Sequence, residues 1–331
     1  MNTLFIIGNG FDLNLGIKTS YSNFYEYYKE MNSKSDLIKK LKEDISNNEI
    51  KEWKDLELAL GQYTKKLKTR EEFKEISTDI IISLSDYLKK QEESFDFGRI
   101  NKDVFFSNLS FPEKHLPEGD IDEIKSYRGR WYNTLQWHTS IMTLNYTRTI
   151  ENITERTDIK NIQIGGSSPR KFLLREIMHI HGRTDANIVL GVNDISQIAN
   201  ESFHEDLNIL ETLVKPTCNQ VQKHKIDTQC KGLISNANLI CLFGSSIGDT
   251  DSMWWELVGQ RLLSSNARLI IFHHTTEVIP QQMPQIKSEI GRRVISLFAK
   301  MAKLNDEEIK RIGDRIIVGV NTGIFKQILP S

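Results

Sequence analysis

The chain has 331 residues, 39% hydrophobic and 26% charged, with a formal net charge of −1 at pH 7. That balance excludes a disordered chain and a globally basic nucleic-acid binder, and it leaves one large domain with insertions or two domains. Cys218, Cys230 and Cys241 are too few and too scattered for a disulfide framework or a four-cysteine zinc site, and no histidine pair has the i, i+4 spacing of a zinc protease, so no metal is expected.

In chain order, seven short apolar runs read as strands: Leu4 to Ile7, Ile141 to Leu144, Ile162 to Ile164, Ile177 to Ile180, Leu239 to Phe243, Leu269 to Phe272 and Ile316 to Val320. Most are almost continuously apolar, the pattern of strands buried on both faces, which predicts an α/β fold: a Rossmann-like, mostly parallel sheet with helices on both faces. Residues 21–130 are rich in Lys and Glu, with apolar residues at helical spacing such as Leu56, Leu60, Tyr63 and Leu67, and read as a large helical insertion. Residues 1–20 and 131–331 then form one composite core. Within it, residues 195–231 carry a helical pattern through Phe203, Leu207, Leu210 and Val214 and are a candidate lid. No apolar run approaches the roughly 18 residues that span a bilayer, and the first residues lack a signal-peptide pattern, so a cytoplasmic location without membrane contact is expected.

Four of the strands are followed at once by polar or glycine residues: Gly8-Asn9-Gly10-Phe11-Asp12, Leu144-Asn145-Tyr146-Thr147, His181-Gly182-Arg183 and Gly244-Ser245-Ser246-Ile247-Gly248-Asp249. In an open parallel sheet, ligands bind at the carboxyl ends of the strands near the switch point, so all four segments should face one crevice. The first has the form of a nucleotide cradle, with Gly8, Gly10 and Gly16 allowing tight turns and close approach of a diphosphate, ahead of a helix whose first amides favour an anion. Asp12 either caps that helix or contacts a ribose. Strand alternation puts His179 and His181 on one face. His181, where the strand ends, is the functional candidate, and His179 is read as a core histidine bonded to backbone. Asp249 and Asp251 are expected to cap the helix holding Trp254 and Trp255, which read as core. Asp55 and Glu57, two apart, do not form a carboxylate pair. The lysine pairs read as solvated faces, so no nucleic-acid partner is expected.

The same segments resemble motifs of a known fold family. Gly8 to Ile17 resembles the sirtuin loop G-A-G-x-S-x-x-x-G-I, Thr143-Leu144-Asn145 its T-Q-N, His181-Gly182 its H-G, and Gly244-Ser245-Ser246 its G-T/S-S. Ile7 to Asp12, Thr19 to Phe24, Trp53-Lys54-Asp55-Leu56-Glu57, Asn145-Tyr146-Thr147 and Phe243 to Ser246 resemble the bacterial AbiH family of phage abortive-infection proteins. Asp12 in place of the sirtuin serine, Lys18 in place of a proline and the missing zinc cysteines argue against deacylation.

What this resemblance implies is an antiphage effector that hydrolyses NAD to nicotinamide and ADP-ribose. Asn145 and His181 are then its catalytic pair, and NAD is substrate or ligand. Asn145 would hold a water or ribose hydroxyl, and His181 would act as general base. Gly8, Asn9, Gly10, Phe11, Asp12 and Gly16, with Gly244, Ser245 and Ser246, would hold the nucleotide. A small-molecule nucleotide is the expected partner, and a phage-derived trigger and a second copy of the chain are further candidates. The alternatives are a non-catalytic NAD or ADP-ribose sensor and, on analogy alone, a nucleic-acid-directed toxin.

Overall fold

The computed structural model describes residues 1–47, 53, 55–156, 159–221 and 225–329. Lys54 of the Trp53–Glu57 motif and residues 222–224 of the candidate lid lie outside the described residues.

The chain opens with β1 (Asn2–Ile7), which leads into the short helix α1 (Gly10–Asn14). Six helices follow: α2 (Tyr21–Glu30), α3 (Asp36–Asn47), α4 (Leu56–Tyr63), α5 (Arg70–Ser94), α6 (Lys102–Ser110) and α7 (Glu118–Gly129). Then come β2 (Gln136–Thr143), α8 (Thr149–Thr154), β3 (Ile162–Gly165), β4 (Lys171–His179), α9 (Leu207–Leu213), α10 (Lys215–Val221) and α11 (Ile226–Asn236). The chain finishes with β5 (Leu239–Phe243), α12 (Ser252–Ser264), β6 (Arg268–His273), α13 (Gln285–Met301), α14 (Asp306–Ile312) and β7 (Ile316–Val320). Helix starts carry the expected caps: Ser20 accepts from Asn23 N, Asp55 from Glu57 N and Leu58 N, and Thr69 from Glu72 N.

The strands form one sheet in the order β3-β4-β2-β1-β5-β6-β7, parallel except for β3, which runs against β4. Each of the seven apolar runs therefore lies within or overlaps a strand, and the mostly parallel α/β expectation holds. Alternation along β1 explains why its run is continuous. Leu4 and Ile6 enter a core with Trp254, Trp255 and Val258 of α12, while Phe5 and Ile7 enter a second core on the opposite face with Phe105 and Leu109 of α6 and Ile124 of α7.

The helical insertion divides its apolar residues between two cores. Residues from α6 and α7 cover the sheet, whereas Phe24, Leu41, Leu60, Phe73, Ile80 and Leu84 build a third core together with Leu190, Val192, Ile209 and Leu213. In the 195–231 segment Phe203 and Val214 are buried as expected, together with Ile209 and Leu213, whereas Leu207, also expected on the apolar face, is 68% exposed. A helix from Leu207 to Leu213 that is fixed by Ile209 and Leu213 turns its first residue to solvent.

Candidate functional site

The sheet reverses direction of winding at β1, which has β2 on one side and β5 on the other. Register brings the strand ends level: Ile7 is opposite Thr143 and Phe243, and Thr143 is opposite His179. Sheet hydrogen bonds continue one residue further, from Leu144 N to the Ile7 carbonyl, Ile180 N to the Thr143 carbonyl and Gly8 N to the Phe243 carbonyl, at 2.9, 3.0 and 2.9 Å. The four segments singled out in the sequence thus leave one edge of the sheet side by side.

The glycine loop does something other than expected. Gly10 N donates to the Gly244 carbonyl at 2.8 Å, and Phe11 N to the Gly8 carbonyl at 3.0 Å, so with Gly8 N these amides are engaged inside the protein. A Cβ on Gly10 would lie 2.5 Å from Gly244 Cα, and one on Gly8 would lie 2.7 Å from the Gly244 carbonyl oxygen. Gly244 itself has φ +70, and its Cβ would meet Phe11 N at 2.7 Å. The close approach that requires glycine at these positions is that of the β1 and β5 loops to each other. The Gly8 and Gly10 amides expected to face a diphosphate are thus engaged with the β5 loop, and α1, only five residues long, adds no sizeable dipole.

The rest of the loop is equally occupied. The Phe11 ring is fully buried against Phe105, Phe243 and Phe325, so its side chain belongs to the core and is closed to a ligand. Asn9 clasps Thr19: its Nδ2 donates to the Thr19 carbonyl at 3.1 Å and its Oδ1 accepts from Thr19 Oγ1 at 2.6 Å. Gly16, at φ +83, ends α1. Ser245 Oγ accepts from Ile247 N at 3.1 Å, and Ser246 is exposed.

Asp12 caps nothing. It sits inside the short helix with no exposed surface, and its Oδ2 accepts from Thr147 Oγ1 at 2.6 Å, while Oδ1 has no partner among the described residues. Burial pushes its carboxyl up to about 6, against the hydrogen bond of Thr147 and the nearby polar groups of Thr149 and Asn145. Asn145 is buried beside it, and its Oδ1 likewise has no donor among the described residues. The Asn145 backbone carbonyl lies 3.1 Å from His179 Nδ1, and His179 Nε2 lies 2.8 Å from Glu151 Oε1. His179 is thus bonded to backbone as expected, with a carboxylate on its other side. Burial would raise Glu151, but the bond and charge of His179 outweigh it and hold its carboxyl below the ordinary range.

His181 belongs to a different cluster. Its Nε2 lies 2.9 Å from Asp251 Oδ1, at ion-pair distance but outside hydrogen-bond geometry. That oxygen also pairs with Lys215 Nζ at 3.0 Å, and Lys215 pairs with Glu57 Oε2 at 2.7 Å. The Tyr146 hydroxyl donates to Glu57 Oε1 at 3.1 Å. Asp251 therefore does not cap α12 with its side chain, since Lys215 and His181 claim it. Trp254 and Trp255 are core, as read. Glu57 does not pair with Asp55, as read, and Asp55 caps α4. The one sequence signal for Glu57 is a single carboxylate inside the apolar run Leu56 to Leu60.

A separate cavity of about 640 Å³ lies against β4; Glu151, His179 and Gly182 line it, whereas Gly10, Asn145, His181 and Gly244 do not. Among the described residues, no group of three His, Cys, Asp or Glu side chains is placed to hold a metal, and no helix is long and apolar enough to cross a membrane.

A seven-stranded, mostly parallel sheet with helices on both faces and its polar loops gathered at the switch point defines a Rossmann-like α/β protein. The model of the bacteriophage abortive infection family AbiH matches residues 4–273, and the chain belongs to that family. Its setting is therefore phage abortive infection. Among solved structures, one described as "Structure of Sir2Tm bound to a propionylated peptide" aligns at 14% identity and a TM-score of 0.28, covering 89% of this chain and 92% of that one. A search of curated proteins gives no match.

Proposed function

We propose that the protein is an antiphage effector that hydrolyses NAD to nicotinamide and ADP-ribose at the ends of β1, β2, β4 and β5. The observation that carries this is Asn145: a buried amide at the switch point whose Oδ1 has no donor among the described residues. An unpartnered buried acceptor costs about 1–3 kcal/mol, which a ligand hydroxyl or a bound water would recover. In the proposed reaction the bond between the ribose anomeric carbon and the nicotinamide nitrogen breaks, its electron pair leaving with neutral nicotinamide. The anomeric carbon gains positive character, and a water held by Asn145 bonds to it. The water's proton passes to His181. Contacts to the nucleotide would come from the partly exposed rim of Asn9, Gly10, Gly244, Ser245 and Ser246, since the Gly8 and Gly10 amides are engaged.

A second function, a non-catalytic NAD or ADP-ribose sensor, is favoured by that same engagement: a diphosphate seated on the Gly8 and Gly10 amides would have to part the β1 and β5 loops. One experiment separates the two. Purified protein is incubated with NAD, with and without phage lysate, and nicotinamide release is measured alongside Asn145→Ala and His181→Ala. Each variant should lower release by on the order of 10²-fold, with far smaller loss of NAD binding. Parental rates in both variants would refute Asn145 and His181 as the catalytic pair. Binding without turnover in the parent would support the sensor.

A further inference from the structure

A buried ammonium stands where three distant segments meet. Lys215, the first residue of α10, donates from Nζ to Glu57 Oε2 on α4 at 2.7 Å, to Asp251 Oδ1 just before α12 at 3.0 Å and to the Thr250 carbonyl at 3.1 Å. All three of its N–H bonds are used. Its backbone is fixed too, with Lys215 N donating to the Val192 carbonyl at 2.9 Å. The side chains of Lys215 and Glu57 are each 7% exposed and that of His181 is 5% exposed, so the group is screened little by solvent.

Burial would raise the Asp251 carboxyl, but Lys215 and His181 overcome it and hold it below the ordinary carboxylate range. Burial would lower Lys215, and Asp251 and Glu57 together hold it above the ordinary lysine range. Burial pushes the Glu57 carboxyl up, against the pull of Lys215 and His181. When both carboxylates are ionised, Glu57, Asp251 and Lys215 carry one net negative charge. A proton on His181, 2.9 Å from Asp251, brings the four to neutrality. An uncompensated charge inside a protein is costly, and a neutral set of close partners is far less so.

We propose that Asp251, held in place by Lys215 and Glu57, is the positioning residue for His181. Its carboxylate stands 2.9 Å from Nε2, leaves Nδ1 as the nitrogen that takes the proton from water, and balances the imidazolium that results. The assignment rests on His181 as the base proposed above. It adds Asp251 and Lys215 to a site in which sequence motifs marked only the histidine.

The test follows the His181 ring by ¹⁵N NMR on histidine-labelled full-length protein, its signal assigned by its loss in His181→Ala. The charged and titratable groups that face it are Asp251, Lys215, Glu57 and Tyr146, with Asp227 further off. Asp251→Asn removes the carboxylate with little change of shape, and the His181 titration midpoint should fall by about one unit or more. Lys215→Gln removes the competing cation, and the midpoint should rise. Opposite signs cannot come from a general loosening of the fold. In turnover, Asp251→Asn should lower kcat for nicotinamide release by on the order of 10²-fold with KM within a few-fold. Midpoints unmoved, or moved the same way in both variants, would overturn the proposal. A parent without turnover under any trigger would sink the hydrolase, while the NMR comparison would still decide whether Asp251 governs His181.

Discussion

Replacing Asp12 by Asn should stabilise the protein, and the gain should depend on pH. The native carboxyl has no exposed surface and is pushed up to about 6 from an ordinary 3.8, chiefly by burial. Between these two values the folded protein keeps a proton that the unfolded chain has already released, so stability falls as pH rises through that window. A displacement of about two units corresponds to about 3 kcal/mol, fully lost once pH exceeds 6. Asn is neutral throughout and its Oδ1 still accepts from Thr147 Oγ1. The variant should therefore gain up to about 3 kcal/mol at pH 7.5, less the weaker hydrogen bond of a neutral acceptor, and almost nothing below about pH 4. Urea unfolding of parent and variant at half-unit intervals from pH 4 to 8 measures the difference directly. A difference that stays flat with pH would show that Asp12 titrates alike in both states and would refute the reasoning.

Gly10→Ala should cost stability and not only ligand affinity, because its Cβ would meet the Gly244 backbone at 2.5 Å; an unchanged unfolding midpoint would mean that the two loops part at little cost. Arg128→Met should destabilise by about 3–5 kcal/mol, since it strands the buried Glu113 carboxylate and frees the Ser110 carbonyl that accepts from Arg128 at 2.7 Å. Glu113→Gln in the same background should recover part of that loss, and a double variant no better than the single would contradict the pairing.

The sheet was largely legible because its strands are buried on both faces, and burial on both faces writes a continuous apolar run that needs no partner to be recognised. Direction is a different matter. β3 is a four-residue strand whose residues say nothing about whether it runs with or against β4, and only the short Gly165 to Arg170 connection forces the antiparallel turn. The packing of the glycine loop on the β5 loop was not legible, since a glycine needed beside another backbone looks the same in sequence as one needed beside a phosphate. Lys215 and its partners were illegible for a plainer reason: Glu57 and Asp251 lie 158 and 36 residues away from it, and no local pattern couples positions so far apart. Asn145 and His181 were singled out through their position after strands. Their separation into two polar clusters, one around His179 and Glu151 and the other around Asp251 and Lys215, appears only in three dimensions.

The central place of β1 carries a consequence for how the molecule is made. Its neighbour β2 begins at Gln136 and its other neighbour β5 at Leu239. At about 5–20 residues per second, the ribosome delivers β2 roughly 6–25 s after β1, and β5 later still by a similar interval. Throughout that wait β1 is an apolar strand with open edges, the kind of segment that pairs with the wrong chain. The early helices can assemble part of their own core meanwhile, and α6 and α7 can cover one face of β1, but its two edges stay open until β2 and β5 arrive. Nor can a nascent chain stalled before residue 239 bring the β5 loop to Gly10, so the assembled junction at the head of the sheet exists only once synthesis is well advanced.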